Sequence, residues 1–244
     1  MKRLIASFFA LTVLSANADH HKEAKPSPTA ADWTASLVKK LPQSEKPIQL
    51  FNGKNLDGWD GWGIYWSVTD GMIRGANEGV VPSSTYLFTK RKFRNFRLFL
   101  EVKQTLGERY STMHSAVAVL GEVIPDKGGN AHAFRGPLLM FCHDWGIWDA
   151  HRRSRVVPAG HRGAVKLPQE QKAGWNRLEV LVVGNRIRMV TNGKLVFDFT
   201  DQPDMLKPSP VGLQLHSNKR PQEYLFRGLV LTENPEDELV SLDK

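Results

Sequence analysis

The sequence predicts an all-β sandwich preceded by one short helix. Short runs that alternate apolar with polar residues, the period of a half-buried strand, recur from about residue 48 to about residue 232. Turn dipeptides punctuate them at Asn52-Gly53, Asp70-Gly71, Gly184-Asn185 and Asn192-Gly193. Helical periodicity does not extend past residue 41, so packed sheets must supply the core. With 41% hydrophobic and 24% charged residues in a chain of 244, a sizeable core can form. No internal repeat is visible, and one domain over residues 47–232 is the economical arrangement.

Taken in order, residues 1–18 read as a secretory signal. Lys2 and Arg3 give a positive start, residues 4–14 an apolar run too short to span a bilayer, and Ala16-Asn17-Ala18 a small-residue cleavage site. Residues 19–46 form a polar tether containing a short amphipathic helix at 30–41, with Trp33, Leu37, Val38 and Leu41 on one face, stopped by Pro42 and Pro47. Residues 64–69 and the MIRG run after Asp70-Gly71 form a hairpin. In residues 96–103, Phe96, Leu98, Leu100 and Val102 face one way and Arg97, Phe99, Glu101 and Lys103 the other. Residues 175–199 form an antiparallel meander, and residues 210–216 and 224–231 close the domain. An acidic tail occupies 233–244.

The single cysteine, Cys142, rules out an internal disulfide and reads as a buried thiol in an apolar run. An exported chain without disulfides suits a periplasm or a bacterial outer surface. Losing Lys2 and Arg3 with residues 1–18 lowers the 33 basic residues to 31, against 25 acidic ones, for a net charge of +6. Export, and basic residues scattered rather than gathered in a stripe, argue against nucleic acid and for attraction to anionic sugars or to a cell envelope. No later run is long and apolar enough for a membrane span.

The densest chemistry lies at 143–155, HDWGIWDAHRRSR. His143 and Asp144 can move protons, Arg152 and Arg153 can hold a developing negative oxygen, and Trp145 and Trp148 can stack on a sugar ring, with Asp149 and His114 as further contacts. The bland alternative is a solvated loop whose tryptophans plug a sandwich edge and whose arginines pair with nearby acids. If Leu213 and Leu215 point inward, Gln214 and His216 share the outer face, about 7 Å apart along the strand. The long loop 121–136 and the 143–155 window are then expected to wall the same cleft.

The segments LFNGKNLDGW at 50–59, Trp66/Val68/Asp70/Gly71, Ser115-Ala116-Val117, Trp175-Asn176, GLQLH at 212–216 and Phe226-Arg227-Gly228-Leu229 follow one another in the order of a known family. The sequence resembles the bacterial 3-keto-disaccharide hydrolases over about residues 47–232. The resemblance implies a concanavalin/laminin-G-like jelly roll and an exported enzyme acting on glycosides already oxidised at carbon 3. A base removes the acidified hydrogen of carbon 2, a cation or metal holds the enolate, the carbon 1 substituent leaves and water adds. Asp144, His216 or His143 would transfer protons, Arg152 or Arg153 would hold the enolate oxygen, and Gln214, Trp145 and Trp148 would hold the sugar. No cofactor is required with certainty; a divalent metal held by Asp144, Glu101 and a histidine is an option, although no spacing here is a strong metal signature. The family's Y-E-V-Q-x-x-D strand corresponds here to Leu138 to Asp144, with Leu139 and Phe141 in place of its glutamate and glutamine. A non-catalytic carbohydrate-binding module is therefore the main rival, and an envelope protein held by a basic face is a third reading.

Overall fold

A computed structural model describes residues 30–106, 115–125, 133–141, 146–158 and 174–243. The signal segment, most of the tether, Cys142 and four expected site residues (His114, His143, Asp144, Trp145) lie outside the described residues. The helix α1 covers Ala30–Val38. The strands are Ile48–Gln49 (β1), Trp59–Asp60 (β2), Trp66–Thr69 (β3), Met72–Asn77 (β4), Thr85–Thr89 (β5), Phe96–Leu106 (β6), Ala116–Ala118 (β7) and Glu122–Ile124 (β8). They continue with Ala133–Met140 (β9), Ile147–Ala150 (β10), Val156–Val157 (β11), Asn176–Val183 (β12), Arg186–Thr191 (β13), Lys194–Thr200 (β14), Gly212–Leu215 (β15) and Gln222–Glu233 (β16).

Two antiparallel sheets form a jelly-roll sandwich. The first runs β14-β13-β12-β6-β16-β4-β3, with β1 beside β16; the second runs β11-β10-β9-β7-β15-β5-β2, with β8 beside β9. The hairpin turns match the expected dipeptides. Asp70-Gly71 and Asn192-Gly193 place two successive residues at positive φ, as a twisted two-residue turn requires. Two expectations change. Part of the expected 121–136 loop is a hairpin, because Glu122–Ile124 pairs with Ala133–Arg135. Residues 147–150 and 156–157 of the charged stretch and its flank are strands at the edge of the second sheet, not loop.

Alternation divides each sheet into an inner and an outer face. Leu98, Leu100, Val102, Leu178, Val180 and Phe226 from the first sheet meet Leu87, Val117, Leu139, Phe141, Ile147, Leu213 and Leu215 from the second in one buried core. The outer face of the first sheet is also buried. Trp33 of α1 meets the Phe99 ring edge-on at 6.1 Å, and Thr34 Oγ1 donates to Gly228 O at 3.2 Å.

The C-terminal segment straps the rest of that face through Arg97. This guanidinium, with no exposed side-chain surface, donates from Nε and Nη2 to the Glu45 carboxylate at 3.0 and 2.8 Å. Its remaining protons go to Glu179, Glu238 O and Glu236 O. Glu179 in turn accepts from the backbone of Val240 and Ser241. All five guanidinium N–H groups are thus paired, the condition for burying the charge without a large penalty. A groove of about 670 Å³ remains between α1 and this sheet, lined in part by Val38, Pro47, Phe51 and Val230.

The outer face of the second sheet carries a separate apolar layer of Tyr86, Phe88, Ala116, Ala118, Phe134, Leu138, Met140 and Ala150, with Trp148 against it. The Tyr86 and Phe88 rings stack at 5.3 Å and both meet Phe134. Gly212 belongs to this layer for a steric reason. A Cβ there would fall 2.5 Å from the Phe88 ring and 3.1 Å from the Ala118 Cβ. Gly212→Ala is expected to cost about 1–3 kcal/mol, the usual penalty of overpacking, read as a lower denaturant midpoint at unchanged m-value.

Candidate functional site

Strand β15 carries the residues from which a site can be assembled. Leu213 and Leu215 enter the core with no exposed surface, so Gln214 lies on the outer face, as the alternation predicts. It pairs across to Tyr86 on β5, and its Nε2 donates to the Tyr86 hydroxyl at 3.0 Å. The residue is 2% exposed, and its Oε1 meets no donor among the described residues. A buried carbonyl oxygen without a donor costs about 1–3 kcal/mol, so such an atom in a native fold calls for a ligand, a water or a functional reason. Burial pushes the Tyr86 phenol well above its ordinary value, against the opposing effect of the Gln214 bond, so it stays a neutral hydroxyl at any physiological pH.

His216 follows directly after β15 and is half-buried. Its Nδ1 lies 2.7 Å from Ser217 O. A carbonyl oxygen only accepts, so Nδ1 carries the proton, and in the neutral ring the lone pair lies on Nε2. The surrounding chain is held in several places. Gln222 Nε2 donates to His216 O, Ser217 N donates to Ser84 Oγ at 3.1 Å, and Asn218 bridges to Val81. Fixed tautomer, braced backbone and partial exposure are what a proton-transferring imidazole requires.

The charged stretch divides differently from expectation. Trp148 is on the outer face with Gln214, pairing in register with Leu138, which pairs in turn with Ala118. Asp149 is on the opposite face and fully buried. The tight turn after it, with His151 and Ser154 at positive φ, folds Arg152 and Arg153 back onto its carboxylate. Arg153 also grips Asp201 through Nη1 at 3.0 Å, and Arg152 Nη1 donates to Met205 O. Arg152 and Arg153 therefore pin the β10–β11 corner to the segment after β14. They do not converge on Gln214, and Asp149 is an internal counter-ion rather than a sugar contact. Burial opposes the charge of Arg153, and the bonds to Asp201 and Asp149 more than restore it.

Glu101 also departs from its expected role. It lies on the outer face of the first sheet, across the sandwich from Gln214, flanked in register by Arg177 and Arg227. Both donate to it, at 3.3 and 3.0 Å, and Arg227 stacks on the Trp175 ring at 3.8 Å. A carboxylate between two guanidinium groups on the far face cannot share a metal with β15. Among the described residues no three His, Cys, Asp or Glu side chains gather as metal ligands.

Two strand positions are reinterpreted as well. Leu139 and Phe141 point into the core, while Leu138 and Met140 face outward. In either frame of the family's Y-E-V-Q motif, this strand has no carboxylate. Tyr86, Ser84 and Gln222 are absent from the residues singled out in the sequence. The signal for Tyr86 was its alternation, since in STYLFT Ser84, Tyr86 and Phe88 fall on one side and Thr85, Leu87 and Thr89 on the other.

Against this geometry, residues 46–232 match the family described as the 3-keto-alpha-glucoside-1,2-lyase-like domain. The chain belongs to this family. A 3-keto-disaccharide hydrolase of Bacteroides thetaiotaomicron is 23% identical over 172 residues, which are 62% of this chain and 58% of that protein. The chain thus spans little more than half the length of that curated relative. A Parabacteroides distasonis protein provisionally named a glycosyl hydrolase is 20% identical, covering 77% of this chain and 99% of its own, with a TM-score of 0.49. The exoplasmic/lumenal domain of VIP36, bound to Ca²⁺ and Man3GlcNAc, superposes with a TM-score of 0.51 at 11% identity, over 80% of this chain and 92% of its own. The VIP36 likeness agrees with the jelly-roll fold. No helix among the described residues is long and apolar enough to cross a membrane.

Proposed function

We propose that this chain cleaves 3-keto-glycosides. The observation that carries the reading is the His216 ring, with Nδ1 as the donor to Ser217 O, just beyond the end of the strand whose Gln214 forms the buried pair with Tyr86. In the proposed step, Nε2 of His216 takes the proton from carbon 2 of the sugar. The C–H electron pair moves into the ring as an enolate whose oxygen, on carbon 3, accepts a hydrogen bond from the neutral Tyr86 hydroxyl. The Gln214 amide orients that hydroxyl from one side, and its buried, donor-free Oε1 is the acceptor for a sugar hydroxyl. The enolate electrons then expel the carbon 1 oxygen, which leaves as an alcohol on taking a proton, and water adds to the unsaturated product. Tyr86 takes the role expected of Arg152 and Arg153, which are held against Asp149, Asp201 and Met205 O on the other side of the sheet.

The reading includes export. Lys2-Arg3, the apolar run at 4–14 and Ala16-Asn17-Ala18 support a cleaved signal and a periplasmic or secreted protein. A carbohydrate-binding module without turnover is the second reading, favoured by the apolar Leu138–Phe141 segment. Incubation with a 3-keto-disaccharide and with its unoxidised parent separates the two. Monosaccharide release from the oxidised sugar alone is expected, whereas binding of both sugars without release supports the module.

A further inference from the structure

A cleft of about 240 Å³ opens where the β2–β3 connection faces the end of β4. It is smaller than the ~300–1,000 Å³ of clefts that hold drug-sized ligands and is sized for one ring. Tyr65 lines it, backed by Trp62, whose ring stacks on Tyr65 at 6.1 Å and 19°. Ile64 and Val80 stand at its lips, 77% and 61% exposed. Asn77 lies in its wall and is 8% exposed. Its Nδ2 is committed to Gly79 O and to Arg220 O, the latter at 3.1 Å, while its buried Oδ1 has no donor among the described residues. Arg74 and Glu78 complete the polar side, Arg74 being already bonded to Glu223.

From these observations we infer that this cleft is a subsite for one neutral pyranose unit. The aromatic and aliphatic walls suit the C–H face of a sugar ring, and the Asn77 Oδ1, held by its own amide bonds, is a fixed acceptor for a sugar hydroxyl. The lining holds one cation, Arg74, and one carboxylate, Glu78, and Arg74 is already neutralised by Glu223, so an anionic sugar is disfavoured. The subsite continues the rim of the first site. Asn77 pairs in register with Gln222, whose side chain holds His216 O. The inference rests on the sugar-binding part of the proposed function and does not need turnover.

The test is a titration of the ¹⁵N-labelled full chain with methyl glucoside and, separately, with glucuronate. Saturable shifts at the amides of Ile64, Tyr65, Gly79 and Val80 and at the Asn77 side-chain amide are expected with methyl glucoside. Tyr65→Leu, which keeps an apolar group against the core, is expected to weaken binding about tenfold. Glu78→Gln, which removes a negative charge from the wall, is expected to narrow the preference for methyl glucoside over glucuronate. Shifts confined to the Tyr86 and Gln214 strands, or none at these amides, overturn the subsite whatever the turnover assay gives. Loss of 3-keto-glycoside turnover alone leaves it standing.

Discussion

Arg97→Met is expected to destabilise the chain by about 3–5 kcal/mol, a large share of the ~5–15 kcal/mol that holds a domain together. The variant leaves Glu45 and Glu179 buried with no cation between them, and frees the carbonyls of Glu236 and Glu238. Thermal unfolding should then fall by roughly 10 °C or more for a chain of this size. A melting point unchanged within experimental error would show that the network is not structurally coupled. A second variant isolates the charge effect. Replacing Arg97, Glu45 and Glu179 together by apolar residues removes the uncompensated charges, so the sheets should recover much of the loss. The strap, now without its acceptors and donors, should become the first site of proteolysis and of fast amide exchange.

The same network predicts an acid limb of stability. Burial alone would raise the Glu45 pKa, but the bonds from Arg97 and Thr232, the charge of Arg97 and the Glu236 N–H outweigh it and hold the carboxyl below its ordinary value of 4.5. A carboxyl depressed in the folded state adds stability that is fully present above the unfolded value and lost as the pH falls through the lower, folded one. The melting temperature should therefore drop on acidification below about pH 4. Glu45→Gln should lower the plateau and flatten that drop. Parallel pH profiles for the two proteins would remove Glu45 as the cause.

How much of this was readable in the sequence depended on how local the determining forces are. The β12–β13–β14 meander was legible because two turn dipeptides and strict alternation act over a few residues. The faces of β6 were legible for the same reason. That Arg97, Glu101 and Phe99 are buried rather than solvent-facing was not, because the covering comes from α1 and the C-terminal strap, far away in sequence. At 143–155 the density of charged and aromatic residues suggested a site. The local spacing of Asp149 with Arg152 and Arg153 was already that of a self-paired turn, and strand alternation turns Asp149 inward and Trp148 outward. Gln214 was placed on the outer face by Leu213 and Leu215 alone, whereas its partner Tyr86 lies 128 positions away and only strand pairing reveals it.

The proposed chemistry stands most directly on His216→Ala, expected to lower turnover of a 3-keto-disaccharide more than ~100-fold, the scale of a lost proton-transfer group. The imidazole is half-buried after the end of β15, His216 O is held by Gln222 and the nearby Asn218 by Val81, so the variant should fold and melt as the parent does. Tyr86→Phe supplies the independent arm. The ring keeps its packing on Phe88 and Phe134, only the hydroxyl is lost, and turnover should fall about 100-fold with little change in KM, because the lost bond strengthens as the enolate forms. Gln214→Leu removes the donor-free Oε1 and should act mainly through KM. If His216→Ala and Tyr86→Phe both turn over at near-parental rates, proton abstraction resides elsewhere in the chain. If neither they nor the parent release sugar while all three bind it, the sandwich is a binding module, and the buried Gln214–Tyr86 pair is a recognition element rather than a catalytic one.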